Sequence, residues 1–145
     1  MGVYRRVSLL SIPDAAYIAG LIDGEGTVTL GRKHANENRQ LAVTISNTER
    51  PLLDYVLTTV GAGKITRKRT AQGHHTPSFT YAAYNRQALC LLQQVHPYLK
   101  TYKSRRSSLI LRDYLTVTPR NGKYSDELRR RRACFENELL GIKPL

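Results

Sequence analysis

The chain has 145 residues, 41% of them hydrophobic, enough for one buried core and too many for a disordered segment. No run approaches about 18 uncharged apolar residues, which excludes a transmembrane helix, and Ser11, Pro13 and Asp14 interrupt the early apolar stretch, which argues against a signal peptide. The 23 Lys and Arg against 11 Asp and Glu give a net charge of +12, which fits a polyanionic partner, and two cysteines, Cys90 and Cys134, are too few for a disulfide framework and lack CxxC metal spacing.

Ser11-Ile12-Pro13-Asp14 reads as a helix start. Ser11 caps, Pro13 fits the first turn, and Asp14 faces the positive end of the dipole. The helix continues over Ala15 to Asp23 and is ended by Gly24 and Gly26. Thr27 to Leu30 alternates with period two and predicts a strand. Gly31 to Arg39 is a polar hairpin loop carrying Arg32, Lys33 and Arg39, and Gln40 to Ser46 is the partner strand. Thr48 is expected to cap a second helix, with Pro51 in its first turn, an apolar face of Leu52, Leu53, Val56 and Leu57, and Gly61 and Gly63 at its end. Lys64 to Arg69 predicts a third strand, Ala71 to His75 a turn, and Ser78 to Tyr84 a fourth strand. Asn85 is expected to cap a helix through Val95 with Cys90 as a buried thiol, and Pro97 breaks it. Lys103 to Thr116 predicts another helix, and Pro119 to Gly122 a turn. A last helix, capped by Ser125, runs to Leu140 and is closed by Gly141. The order α-β-β-α-β-β-α-α-α indicates an α+β fold with one antiparallel sheet in a single domain over residues 1–145.

From Tyr55 to Arg112 there is no Asp or Glu, while ten Lys and Arg fall there, Arg86, Lys100, Lys103 and Arg105 among them. Such a segment points to contact with nucleic acid. The run Arg129 to Arg132 points in four directions on a helix and cannot make one flat patch, so a solvated surface is an equal reading there. Alternation places Val28, Leu30, Leu41, Val43, Ile45, Ile65, Phe79 and Tyr81 on a core face. It places Thr27, Thr29, Gln40, Thr44, Ser46, Lys64, Thr66, Lys68, Ser78 and Thr80 on the opposite face, which has no acid. Hydroxyls and amides on such a face can read base edges in a DNA groove, the alternative being an ordinary solvated sheet face. Arg67 and Arg69 have inward parity, so a bulge or the strand end must free them.

Ala16, Gly20 and Gly24 recur every four residues and make a small-residue ridge along which a second helix can pack closely. The helix ends in Asp23-Gly24-Glu25-Gly26, acids where the dipole disfavours them. A divalent metal would offset that charge, and hard oxygen ligands suit magnesium. The alternative is a helix C-cap with two surface acids.

The run IAGLIDGEG, at residues 18–26, resembles the signature of the LAGLIDADG homing endonucleases, agreeing at Ala19, Gly20, Leu21, Ile22, Asp23 and Gly26. The order αββαββα, over a core of about residues 11–115 with C-terminal helices over about 103–140, is also similar to that family's. The resemblance implies a four-stranded saddle sheet on DNA with helices on its other face. It implies magnesium- or manganese-dependent hydrolysis of both strands of a long, near-palindromic, double-stranded target, in an intron-encoded enzyme. Carried over by motif, Glu25 is the metal-binding carboxylate and the Gly24 backbone carbonyl also faces the metal, while Asp23 supports the helix end. Asn47 lies near the attacking water, and Lys103 stabilises charge or activates water. Glu25 stands where Asp is commoner and Asn47 where Gln is commoner, one methylene longer and one shorter.

One motif in 145 residues implies a homodimer, meeting through Ala16, Gly20, Asp23 and Gly24. DNA contacts are expected from the polar sheet face, from Arg32, Lys33 and Arg39, from Arg67 and Arg69, from His74 and His75 at the turn, and from Arg105. A non-cleaving DNA-binding regulator and an RNA-binding splicing helper of the same fold are the rival readings. The expected setting is intracellular, in cytoplasm, nucleoid or organelle, with no membrane partner.

Overall fold

The computed structural model describes residues 5–68 and 76–145. Arg69, His74 and His75 lie outside the described residues, as does the Lys68 side chain. Among the described residues nine main elements follow in chain order: α1 (Ile12–Glu25), β1 (Gly26–Gly31), β2 (Gln40–Asn47), α2 (Arg50–Val60), β3 (Lys64–Lys68), β4 (Ser78–Tyr84), α3 (Asn85–Val95), α4 (Tyr102–Asp113) and α5 (Asp126–Gly141). Short 3-10 turns at His96–Tyr98 and Leu115–Val117 flank α4. No helix among the described residues is long and apolar enough to cross a membrane.

The strands form one antiparallel sheet in the order β1-β2-β4-β3. Its core face carries Val28, Leu30, Leu41, Val43, Ile45 and Tyr81, all at most 2% exposed, as the alternation predicts. Ile18 and Ile22 of α1, Leu53 and Val56 of α2, Leu91 and Leu92 of α3, Ile110 of α4, and Phe135 and Leu139 of α5 join the same cluster. Ile65 and Phe79, on the β3 side of the sheet, pack against it partly exposed.

Helix α1 begins as its sequence requires: the Ser11 side chain accepts the Asp14 N–H at 3.2 Å. It runs two residues beyond Asp23, so Gly24 and Glu25 are its last residues and Gly26 its cap. A Cβ on Gly26 would lie 2.5 Å from the Thr44 carbonyl and 2.8 Å from Ile22 Cα. Only glycine lets the helix end press so closely on β2.

Several local expectations are corrected. Thr48 is not the cap of α2; Glu49 holds that position, and its N–H donates to Asn47 Oδ1 at 2.7 Å. Asn85 is the first residue of α3 rather than its cap, with φ at +53°. Helix α4 starts one residue before Lys103, capped by Thr101, and ends at Asp113. The Cys90 thiol is exposed, because it lies on the side of α3 away from Leu89, Leu91 and Leu92. Arg67 is exposed without any bulge: the β3–β4 register is continuous from Lys64 to Lys68, so the strand end frees it.

Candidate functional site

The end of α1 and the last residue of β2 meet at one edge of the sheet. Register places Gly26 opposite Ile45, two residues before Asn47. The exposed Glu25 carboxylate accepts a hydrogen bond from Asn47 Nδ2, while Asn47 Oδ1 takes the Glu49 N–H. Both ends of the Asn47 amide are therefore used, and the carboxylate is held in one orientation.

Asp23 points to the other side of the turn. Its carboxylate accepts from the Lys100 N–H at 2.7 Å, the Thr101 N–H at 3.2 Å and the Thr101 hydroxyl at 2.6 Å. It thus binds the start of α4, where a negative charge is favourable. Lys103 is buried, and its ammonium donates to the Ile22 and Asp23 carbonyls, both at 2.8 Å. A cation on the last carbonyls of α1 offsets the negative end of that helix's dipole. Burial pushes the ammonium below its ordinary range, and the Asp23 charge works against that shift. The Gly24 carbonyl follows the two that Lys103 takes.

The structure therefore brings Glu25, Gly24, Asn47 and Lys103 to one helix end and gives Asp23 a separate duty. The available donors, the Glu25 carboxylate and the Gly24 backbone carbonyl, are hard oxygen groups that fit a magnesium-like ion. Among the described residues no three His, Cys, Asp or Glu side chains converge, so one chain offers Glu25 as a lone carboxylate.

The exposed face of α1 is uncharged. Pro13, Ala16, Tyr17, Gly20 and Gly24 lie on it, and a Cβ on Gly20 or Gly24 would meet nothing within 4 Å. Tyr17 is 53% exposed and packs edge-on against Tyr55, whose hydroxyl donates to Asp14 at 2.6 Å. Asp23 is half-buried and engaged within its own chain, so it stands apart from this open ridge.

The outer sheet face is built in rows. Thr27, Thr44, Ala82 and Lys64 align across all four strands, and Ser46, Thr80 and Thr66 form the next row. Thr27 and Thr44 share a hydrogen bond of 2.6 Å, Ser46 and Thr80 one of 2.8 Å. Thr29 and Ser78 are half-buried, Gln40 and Thr66 exposed, and Lys64 lies over the Tyr84 ring at 5.6 Å. Arg32 and Lys33 are exposed in the β1–β2 loop.

Two expected contacts lie elsewhere. Arg39 reaches the Leu30 carbonyl at 3.5 Å and pairs with Glu136 at 3.6 Å, so it binds the loop to α5. Arg105 is on α4 and donates to the Lys143 carbonyl at 3.0 Å. Two residues, Thr101 and Arg106, had no part assigned from the sequence, and Arg132 differs from its expected one. Thr101 was legible as a Thr preceding a helical run. Arg106, which donates to the β1 edge carbonyl of Val28 at 2.9 Å, carried no local signal, while Arg132, read with its run as a solvated residue, is buried against Glu136 four residues on.

A family model described as a LAGLIDADG-like domain matches residues 13–93, more than half of the chain. No curated protein matches. Among solved structures, the homing endonuclease I-CvuI in complex with its target, in the presence of calcium, is similar with a TM-score of 0.73 at 14% identity, covering 91% of this chain and 83% of that one. A second I-CvuI complex, with magnesium and uncleaved DNA, aligns at 0.71 and 15% identity over 90% and 82% of the two chains. The meganuclease I-AabMI bound to uncleaved DNA aligns at 0.63 and 17% identity, over 84% of this chain but 43% of that one.

Proposed function

This chain belongs to the LAGLIDADG-like domain family, and from that premise we propose that it is a site-specific homing endonuclease, working as a homodimer on double-stranded DNA. The observation that carries the reading is Glu25, an exposed carboxylate held by Asn47 at the end of a helix whose open face is uncharged. Cutting both strands needs two such carboxylates, and each chain supplies one. A second copy, packed through Ala16, Gly20 and Gly24, brings the other. I-AabMI, with about twice the length of chain, has room for two such units in one polypeptide.

The duplex lies against the outer sheet face, where hydroxyls, Gln40 and Lys64 meet base edges and phosphates. Glu25 and the Gly24 carbonyl would hold magnesium or manganese, which when bound would supply an activated water and charge stabilisation at the leaving oxygen. Asn47 fixes the carboxylate and keeps it from turning away. Lys103 holds the end of α1 so that Glu25 and Gly24 stay in register, and its charge adds positive potential beside the phosphate. The relatives' complexes with target DNA, and the presence of calcium or magnesium in them, support this reading.

The test is a selection from a partly palindromic DNA library with magnesium, with calcium, and with the Glu25→Gln variant. One long symmetric motif, cut only with magnesium and only by the unmutated chain, is the expected result. Binding without cutting under all conditions would favour a regulator. Recovery of no DNA would move the reading to structured RNA.

A further inference from the structure

Two cavities adjoin at the end of the sheet remote from Glu25. The first, about 650 Å³, is lined by Gln40 and Tyr84 of the outer sheet face together with Arg86 and Arg120. The second, about 700 Å³, shares Arg86 and Arg120, adds Arg6, and continues from the sheet end along α3 past Leu89, Cys90 and Gln93. Neither has an Asp or Glu in its lining. Arg39 and Arg132, also in the first, share the single carboxylate of Glu136 behind them. Arg86 spends one donor on the Thr118 carbonyl at 3.0 Å, which ties down the loop that carries Arg120. Among the described residues nothing pairs with the guanidinium groups of Arg6 or Arg120, and both are exposed. Uncompensated cations that line one cavity, as Arg6, Arg86 and Arg120 do, repel one another unless an anion lies between them.

Position says which anion. Strand β1 leaves Glu25 at Gly26 and reaches Gly31, opposite Gln40, roughly 17 Å away at strand rise. With the cutting centre at one end of the sheet, a duplex passing over Gln40 and Tyr84 is on its way out of the complex. We propose that the Arg6–Arg86–Arg120 ridge takes backbone phosphates of the DNA flanking the segment covered by the sheet. The proposal rests on the DNA reading above and adds to it a sequence-independent grip outside the target. Such a grip lengthens the bound duplex without changing which bases are read.

The experiment compares two duplexes in calcium, both carrying the motif recovered in the selection. One ends where sheet contact ends, and the other extends by about one helical turn on each side. The native dimer is expected to bind the long duplex more tightly, with a steeper salt dependence. Arg120→Glu should remove that length advantage while leaving short-duplex affinity unchanged. Arg6→Ala should reduce the salt slope on the long duplex by about 1 per protomer. A length advantage that survives both changes, or none in the native protein, overturns the ridge while the DNA reading stands. Failure to bind either duplex overturns both. Structured RNA binding that is lost in Arg120→Glu, without any duplex length effect, would assign the ridge to RNA instead and so overturn the proposal.

Discussion

Asn47 shows how one amide can set a reactive group. It donates to Glu25 and accepts from the Glu49 N–H, so its two ends are committed and the carboxylate has one preferred position. Removing a partner of this kind from a metal-binding carboxylate costs roughly 10- to 100-fold in metal affinity or activity. Asn47→Ala should therefore cut slowly by about that factor and need more magnesium, while DNA affinity in calcium is kept; a magnesium titration of the cleavage rate checks both. Tyr81 is a second case. Its buried hydroxyl donates to the Ala62 carbonyl at 2.6 Å, and burial raises its pKa above the ordinary 10.0. Tyr55 is pushed up to about 12 by burial and by its bond to Asp14. A raised folded pKa means stability that is whole below pH 10 and lost as pH rises toward the folded value. Lys103, lowered by burial, has the opposite slope and offsets part of the loss. Tyr81→Phe should lose roughly 1–3 kcal/mol at neutral pH, because the Ala62 carbonyl is left unpaired. Its stability should also fall less steeply above pH 10, as read by urea unfolding across that range; an unchanged slope would contradict the assignment.

At the scale of elements, the edge of β1 is closed by arginines. Arg106 takes the Val28 carbonyl and Arg39 the Leu30 carbonyl, groups that an open edge strand would offer to another chain. Helix α5 supports this closure through Arg132, which is 4% exposed. Arg132 bonds Glu136 at 2.9 Å, the Val117 carbonyl at 3.3 Å and the Arg39 carbonyl at 2.6 Å. Removing Arg132 leaves Glu136 with Arg39 at 3.6 Å and takes the donor from the buried Val117 carbonyl, a loss of about 1–3 kcal/mol. Arg132→Ala should lower the free energy of unfolding by that amount, read from the shift in the denaturant midpoint at unchanged slope. The exposed Arg129, Arg130 and Arg131 should change it little when replaced singly. Arg129 to Arg132 thus divides into one structural residue and three solvated ones, a division that four identical letters do not show.

At the scale of the whole molecule, the open ridge of α1 separates folding from assembly. A Cβ at Gly20 meets nothing in the single chain, and replacing glycine inside a helix gains up to about 1 kcal/mol. Gly20→Arg should therefore fold as well as the native chain. In a dimer packed through that ridge, two long cations would face each other across the axis. Sedimentation should show a monomer that no longer cuts both strands, and a Gly20→Arg protein that stays dimeric would place the interface elsewhere. Charge acts at this scale too. A net +12 per chain, with an acid-free outer face, favours contact with a polyanion and makes binding fall with salt.

Local chemistry determined much of this molecule. The Ser11 cap, the strand alternation, the glycines after α1 and α2, and the spacing of Ala16, Gly20 and Gly24 each act within a few residues, so order and faces were legible in the sequence. The resemblance to the family placed Glu25 and Asn47 in one site, and the hydrogen bond between them came only with the structure. What only the tertiary structure decided depends on neighbours far along the chain. Lys103 meets carbonyls of Ile22 and Asp23, Arg106 meets Val28, and Arg132 meets Arg39. A long cation can reach solvent, phosphate or a carbonyl equally well, and its own sequence neighbourhood does not choose among them. The packing of α4 and α5 against the β1 edge makes that choice, by burying these side chains beside carbonyls that would otherwise lack a partner.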